Sequence, residues 1–556
     1  MEISDFTSPD SGRAWLQPIG QEYELEEVHI LRKAHLALHP NITRPHALKV
    51  YSFVGDRTGV IHVGPNQIVI GQFASHALFD VNVYVHRNGH FHLPPTFSCY
   101  GIQITASHNI FHGGGGAGGR IAVYFRSNKT YSGIFETLGG NARGDALPGG
   151  AGTVFLYHLI HKHRTLLISN AGRKALPSAY RIISDYSRPD VISGKTWLLP
   201  SFGEHSFSGD QNYDFEELQI YGGAQLAVLT EPQNRFAKIF FRNMIGDRSG
   251  TIHVGYNQTM DLIRPSIDLP FHVRVYRGGF LGLAPSTEVH GIEIHVDGVI
   301  SHVKNITLHH GGLLSLRENS RTGNEALEND FKFEFVRVQF QGVIQMKSSP
   351  VTHNGMNLTV RVLHIEGGGR VDGSDLRILA ENISINTEGV LSVDRGGYKQ
   401  SDGTGHGVHG KINKGLGPGT GSAASGAGHG GTGGRGRNTP KVGVPYGNMY
   451  EPVEFGSSGG GASGRGGPGG GTIFLNATYL LEIDGILSAD GGDSLTEGGG
   501  GSGGSVWIHC YVIKGYGRIT ANGGSSPHAS YHHGGGGAGG RIAVYFRQND
   551  TFSYFR

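Results

Sequence analysis

Between residues 331 and 362 the chain reads Phe331-Lys332-Phe333-Glu334-Phe335, then Gly342-Val343-Ile344, then Val360-Arg361-Val362. The first and last of these alternate apolar and polar residues, which turns one face of an extended segment inward and the other to water. The middle one is a short strand opened by glycine. Working outward, alternation recurs at Val273-Arg274-Val275, Ile292-Glu293-Ile294 and Ile383-Ser384-Ile385. Glycine-opened strands recur at Gly298-Val299-Ile300, Gly312-Leu313-Leu314, Gly389-Val390-Leu391, Gly485-Ile486-Leu487 and Gly517-Arg518-Ile519. Where no long insertion intervenes they return about every twenty to thirty residues, and no helical period of comparable length is present. A strand pair at that interval matches one coil of a parallel β-solenoid, whose coils bury their inward residues against the coils above and below. Glycine then belongs at the corners, where the backbone takes φ > 0. A β-sandwich also suits regular strands, but it needs less glycine and no return of whole strand sets. The expected fold is all-β, a parallel β-helix with glycine-rich loops.

Longer duplications frame these coils. The run from His112 to Arg126, His-Gly-Gly-Gly-Gly-Ala-Gly-Gly-Arg-Ile-Ala-Val-Tyr-Phe-Arg, recurs unchanged from His533 to Arg547. Gly55-Asp56-Arg57-Thr58-Gly59-Val60-Ile61-His62-Val63-Gly64 returns as Gly246-Asp247-Arg248-Ser249-Gly250-Thr251-Ile252-His253-Val254-Gly255, and Ser11 to Leu16 matches Ser193 to Leu198. The chain therefore reads as one long unit flanked by pieces of its neighbours in a longer array. Residues 1–112 form a partial solenoid unit and 113–402 solenoid coils. The tract 403–471 is a glycine-rich loop or excursion, with stacked glycine-rich coils as the other reading. Residues 472–556 are coils and the start of the next repeat.

Glycine accounts for 93 of 556 residues, far above the usual ~7%. The glycines keep no strict three-residue period, which excludes collagen. With 47 basic and 45 acidic groups, the charge balance gives no reason to expect nucleic acid as partner. No run of eighteen apolar residues exists, so no membrane span is expected. Two cysteines, Cys99 and Cys510, make no disulfide framework. Eight sequons, at Asn41, Asn128, Asn257, Asn305, Asn357, Asn382, Asn476 and Asn549, favour a glycosylated, secreted or cell-surface chain, although Met1 to Asp5 lacks the character of a signal peptide.

Four elements carry a family resemblance: Gly469 to Leu475 (Gly-Gly-Gly-Thr-Ile-Phe-Leu), Gly485 to Gly492 (Gly-Ile-Leu-Ser-Ala-Asp-Gly-Gly), Gly498 to Ile508 and Gly517 to Gly524 (Gly-Arg-Ile-Thr-Ala-Asn-Gly-Gly). They resemble the glycine-rich right-handed parallel β-helix repeats, of the pectin-lyase-like fold group, found in large secreted or cell-surface proteins. The resemblance covers 470–547 and 113–155 and is thinner over 190–400. It implies fold and location rather than an activity. The same group holds polysaccharide lyases and hydrolases, and polygalacturonases resemble the chain at Gly405-His406-Gly407, Gly428-His429-Gly430 and Asn386-Thr387-Glu388. Their adjacent Asp-Asp pair and Arg-Ile-Lys element are absent. Glycosidic hydrolysis needs two carboxyl groups flanking the bond, and Asp484, Asp490 and Asp493 are the candidates. Their bland reading is the stronger one: Asp beside glycine shapes turns. No catalytic residue is assigned.

Other constellations divide the same way. Histidine clusters at His86/His90/His92, His158/His161/His163, His309/His310 and His532/His533 suit zinc or copper by ligand type, but lack accompanying cysteine or carboxylate at fixed spacing and read as solvent-facing strand residues. No metal or other cofactor is assigned. Calcium is the alternative kept open, at the acidic turns Asp372-Gly373-Ser374-Asp375 and Asp490-Gly491-Gly492-Asp493. Gly114-x-Gly116-x-x-Gly119 has the form of a dinucleotide fingerprint, yet a strand rather than a helix follows it. Arg143-Gly144-Asp145 resembles the integrin-binding sequence of adhesive matrix proteins and is the adhesion candidate. The resulting expectation is an extracellular structural or adhesive repeat protein that presents faces and loops to saccharides or proteins, or to copies of itself. A carbohydrate-active β-helix enzyme is the alternative.

Overall fold

The computed structural model describes residues 14–16, 22–38, 46–56, 58–64, 67–71, 77–78, 81–85, 90–92, 97–98, 103–106, 117–127, 133–141, 148–173, 194–198, 211–228, 236–262, 264–317, 330–348, 356–399, 424–436, 442–461, 466–495, 498–526 and 533–552. Every regular element among them is a strand, and the strands form long parallel sheets. The chain divides into two compact units, one of residues 1–264 and 269–282, the other of 265–268 and 283–556.

In the second unit, a nine-stranded sheet begins at Ser266–Asp268 and runs through Ser286–Val289, Asn305–Leu308, Asp330–Val338, Met356–Ile365, Asp375–Ile385, Thr472–Ile483 and Ser505–Lys514 to Arg541–Asn549. Between these strands the chain visits a second parallel sheet, through Glu293–Val296, Leu313–Arg317, Val343–Lys347, Arg370–Gly373, Val390–Ser392, Ile486–Ser488 and Arg518–Thr520. Parallel register stacks like on like. Ile306, Val336, Leu363, Ile383, Leu481 and Ile513 form one aliphatic row, each at most 1% exposed. Leu308, Val338, Ile365, Ile385 and Ile483 form the next, all at 0%. Burying each such side chain stabilises the fold by about 1.5–3 kcal/mol, and β-branched residues suit the pleated surface. The alternation in the sequence is thus the alternation of core and solvent faces.

The corners between the sheets also stack. Gly291, Gly311, Gln341, Gly368 and Glu388 all take positive φ, from 57° to 77°. Gly311 N–H donates to Gln341 O, Gln341 N–H to Gly368 O, and Gly368 N–H to Glu388 O. Glycine fills three of these left-handed positions, as expected.

The first unit has the same plan. Glu22–Ile30, His46–Gly55, Gln67–Gly71, His90–His92, Arg120–Phe125 and Thr153–His158 lie side by side in parallel. At His158 the chain turns back, and His163–Ser169 pairs antiparallel with Thr153–His158. From there parallel pairing resumes through Gln211–Tyr221 and Ala237–Gly246. Arg164 secures this reversal: its guanidinium bonds Asp214 at 2.9 Å and Glu216 at 2.9 and 3.0 Å, holding the Glu216 carboxyl down at about 2. The internal duplication is structural too. Asp56 accepts hydrogen bonds from Arg32 N–H and from Thr58, and Asp247 accepts them from Gly222 N–H and from Ser249. Both aspartates fasten one corner to the corner before it.

Parts of the tract 403–471 are packed, whereas most of 444–454 lies exposed at the surface. Residues 424–428, 455–461 and 469–471 are buried, and they pack as extended glycine-rich segments around 499–504. Gly499 and Ser502 donate to Gly460 and Ser457. Gly500 and Gly503 donate to Gly535 and Ala538, and Gly501 and Gly504 to Gly492 and Ala489. These bonds span 2.8–3.0 Å. Every third residue faces the same neighbour, the period of the polyproline II conformation, which makes no internal hydrogen bonds and so must find external partners. Accepting bonds arrive from Gly467 and Gly470, from Ala427 and from Gly524. A Cβ on Gly501 would lie 1.9 Å from Pro468 O, and one on Gly504 1.8 Å from Gly471 O. Glycine is needed here for close approach, not for positive φ.

Candidate functional site

On the outward side of the nine-stranded sheet, three adjacent strands carry a row of aromatic rings. Phe474 and Trp507 are register partners with ring centroids 4.8 Å apart. Trp507 meets His509 edge-on at 5.2 Å, and His509 stacks on its own partner Tyr545 at 4.9 Å and 10°. The rings point outward because Leu475 and Ile508 between them, both fully buried, point in.

A bulge opens the surface beside this row. Ala477 pairs with Cys510 and Leu480 with Val512, so Thr478 and Tyr479 stand opposite Tyr511 alone. The extra residue bends the strand and re-aims side chains. Asn476, Thr478, His509, Cys510, Tyr511, Tyr545 and Arg547 line the resulting groove of about 330 Å³. Tyr511, which lines it, is 47% exposed, and Tyr479, next in sequence to the lining residue Thr478, is 58% exposed. The Tyr545 hydroxyl donates to Tyr450 O at 2.9 Å, which fixes the ring. Cys510 carries a free thiol, pushed up to about 11 by burial. The groove thus offers flat apolar faces, amide and hydroxyl groups and one guanidinium.

The positions singled out in the sequence are distributed differently. Asn41, Asn128, Cys99 and Arg143-Gly144-Asp145 lie outside the described residues. Asn257 occupies a turn at φ 56°. Asn305, Asn357, Asn382 and Asn476 are half-buried on outward positions of the nine-stranded sheet, Asn476 within the groove. Asn549 bonds the Phe552 backbone through both ends of its carboxamide.

Asp484, Asp490 and Asp493 each accept a backbone N–H from the segment about thirty residues on, from Tyr516 at 2.9 Å, Asn522 at 2.6 Å and Ser525 at 2.6 Å. They act as turn acceptors, not as a converging pair. Of the acidic turn 372–375, Asp372 is engaged by Arg370 and buried Asp375 by the Thr472 hydroxyl. Gly119 is followed by the strand Arg120–Phe125, which removes the helix that a dinucleotide site requires.

Among the histidines, His86, His406 and His532 lie outside the described residues. His158, His161 and His163 gather at the hairpin of the first unit, where the His158 and His161 rings lie 4.4 Å apart. His309 does not pair with its sequence neighbour His310, which stacks on Phe340. It faces His290, a residue the sequence reading did not single out. His429 is a packing residue: fully buried, its Nδ1 bonds Gly503 O at 2.7 Å and its ring stacks on Tyr446 at 4.5 Å.

Compared with known proteins, the chain matches no family model, no curated protein and no solved structure.

Proposed function

We propose that the chain is a parallel β-solenoid of the glycine-rich, pectin-lyase-like kind, an extracellular or cell-surface structural and adhesive module whose lateral face engages saccharide. The parallel sheets with shared aliphatic rows support the solenoid reading, and the eight sequons support the location. The observation that carries the saccharide reading is the row Phe474, Trp507, His509 and Tyr545 beside the bulge-opened groove. Aromatic rings present apolar faces to the C–H surfaces of a sugar ring, while convergent polar groups such as Asn476 and Arg547 take its hydroxyls. A glycan on Asn476 would fill the same groove, so the test uses unglycosylated protein.

A panel of soluble oligosaccharides and polysaccharides is titrated against the chain, with Trp507 emission as readout and Trp507→Phe identifying the signal. At least one saccharide class is expected to shift the emission, with affinity falling about tenfold in Tyr545→Ala. No response across the panel, or binding indifferent to Tyr545→Ala, refutes the reading. New reducing ends or unsaturated products would favour the enzyme alternative instead.

A further inference from the structure

We propose that Glu288, His290 and His309, supported by Asp268, form a divalent transition-metal site on the second unit, with zinc as its representative ion. The residues come from three adjacent coils. Asp268 and Glu288 are direct register partners. Val289 pairs with Leu308, so His290 and His309, each one residue further on, stand side by side. Their rings stack with centroids 3.6 Å apart at 11°. One ligand atom from each of Glu288, His290 and His309 lies within 4.8 Å of the other two.

The hydrogen bonding fits a metal better than a self-contained polar cluster. His309 Nε2 lies 3.7 Å from Glu288 Oε2, too far for a hydrogen bond, and is buried without a partner. Such an orphan ordinarily costs free energy, and coordination would satisfy it. His290 Nδ1 lies 3.3 Å from Asp268 Oδ1. A carboxylate on one ring nitrogen orients the imidazole and leaves the other nitrogen as the metal donor. Solvent access is retained, with the Glu288 side chain 52% exposed and those of His290 and His309 32% and 22%.

The donor set selects the class of ion. Calcium and magnesium take six or more oxygens, whereas two imidazoles and one carboxylate suit zinc and its neighbours. Two nitrogens bound to one zinc at about 2.0–2.1 Å sit about 3.3 Å apart, within the 4.8 Å that separates the present donor atoms at most. Stacked face to face, the rings hold their in-plane lone pairs side by side, so coordination would turn them until those lone pairs converge. Three protein ligands leave the fourth position to water or to a donor from a partner.

The test is calorimetric titration of the chelator-stripped full chain with ZnCl₂, followed by Co²⁺ substitution and its visible spectrum. The expected result is one tight equivalent with a tetrahedral cobalt spectrum. Glu288→Gln and His309→Gln should each weaken it by at least about tenfold, and Asp268→Asn by about tenfold. His161→Gln, at the hairpin of the other unit, should leave it unchanged. Glu288→Gln alters a half-exposed side chain, so it reports on the site even if His309→Gln fails to fold. Absence of a tight equivalent, or one that persists in Glu288→Gln, overturns the proposal.

Discussion

Acid should loosen the glycine-rich bundle through a single imidazole. His429 is 0% exposed. Its Nδ1–H donates to Gly503 O, which places the lone pair on Nε2, and Nε2 is buried without a partner. Protonation would put a charge and an unanswered N–H at that atom. Burial, with the Arg541 charge adding to it, therefore lowers the imidazole from 6.5 to about 4. Between those values the unfolded chain binds a proton that the folded chain refuses. Stability is thus intact above about pH 6.5, falls as pH drops toward 4, and levels off below. A shift of this size is worth about 3 kcal/mol in full, and about 2 kcal/mol has gone by pH 5. Urea unfolding at pH 7.5 and pH 5.0 measures the loss, with pulse proteolysis reporting on the bundle because long parallel sheets can open piecewise. Burial also lowers His253 and His309, so the decisive quantity is a double difference. His429→Gln keeps an N–H for Gly503 O and cannot titrate, so it should lose about 2 kcal/mol less than the parent between the two pH values. An equal loss in both proteins would show that the reasoning about Nε2 is wrong.

Three further outcomes follow from the packing. Gly501→Ala, whose methyl would meet Pro468 O at 1.9 Å, should cost about 3 kcal/mol or more, while Gly536→Ala, with nothing nearer than 3.8 Å, should change stability by less than about 1 kcal/mol; matched urea midpoints compare them. Glu388→Gly relieves a non-glycine residue at φ 65° in the corner ladder and should raise the thermal midpoint, corresponding to at most about 1 kcal/mol, with a fall counting against the corner reading. Cys510, held up at about 11, should react with iodoacetamide at pH 8 far more slowly than the same residue in urea, as counted by mass spectrometry after proteolysis; equal rates would contradict its burial.

The parallel strands were legible in the sequence because their core is made of side chains. Phe331-Lys332-Phe333 alternates, and Phe331 and Phe333 are buried while Lys332 is exposed. Glycine at the corners was legible in kind but not in place: the strand-opening glycines Gly312, Gly342 and Gly389 are not left-handed, and positive φ falls one residue earlier, on Gly311, Gln341 and Glu388. Gln341 and Glu388 occupy equivalent corners unannounced, because the backbone bonds between successive corners outweigh a local preference of about 1 kcal/mol. The packed glycine segments were legible only as one of two readings, a loop or stacked glycine-rich segments. Their order lies in backbone bonds such as Gly535 N–H to Ala424 O, and a residue with no side chain leaves no face pattern to read.

The two candidate sites were hidden by register rather than by composition. Nothing local marks His290, whose neighbours Val289 and Gly291 read as a strand end and a corner. It becomes a candidate ligand only because the strand leading to His309 pairs beside it with Val289 opposite Leu308. The aromatic groove depends likewise on one surplus residue in Thr472–Ile483, which sequence alternation alone cannot place against Tyr511. In a parallel sheet, positions about twenty or more residues apart become nearest neighbours, and a shift of one residue in any strand would exchange inward and outward faces. The buried rows through Ile383 and Ile385 fix that register, and so they also hold His309 against His290 and Tyr545 against His509. A substitution in the core that slipped one coil would disperse a surface site without touching any residue in it.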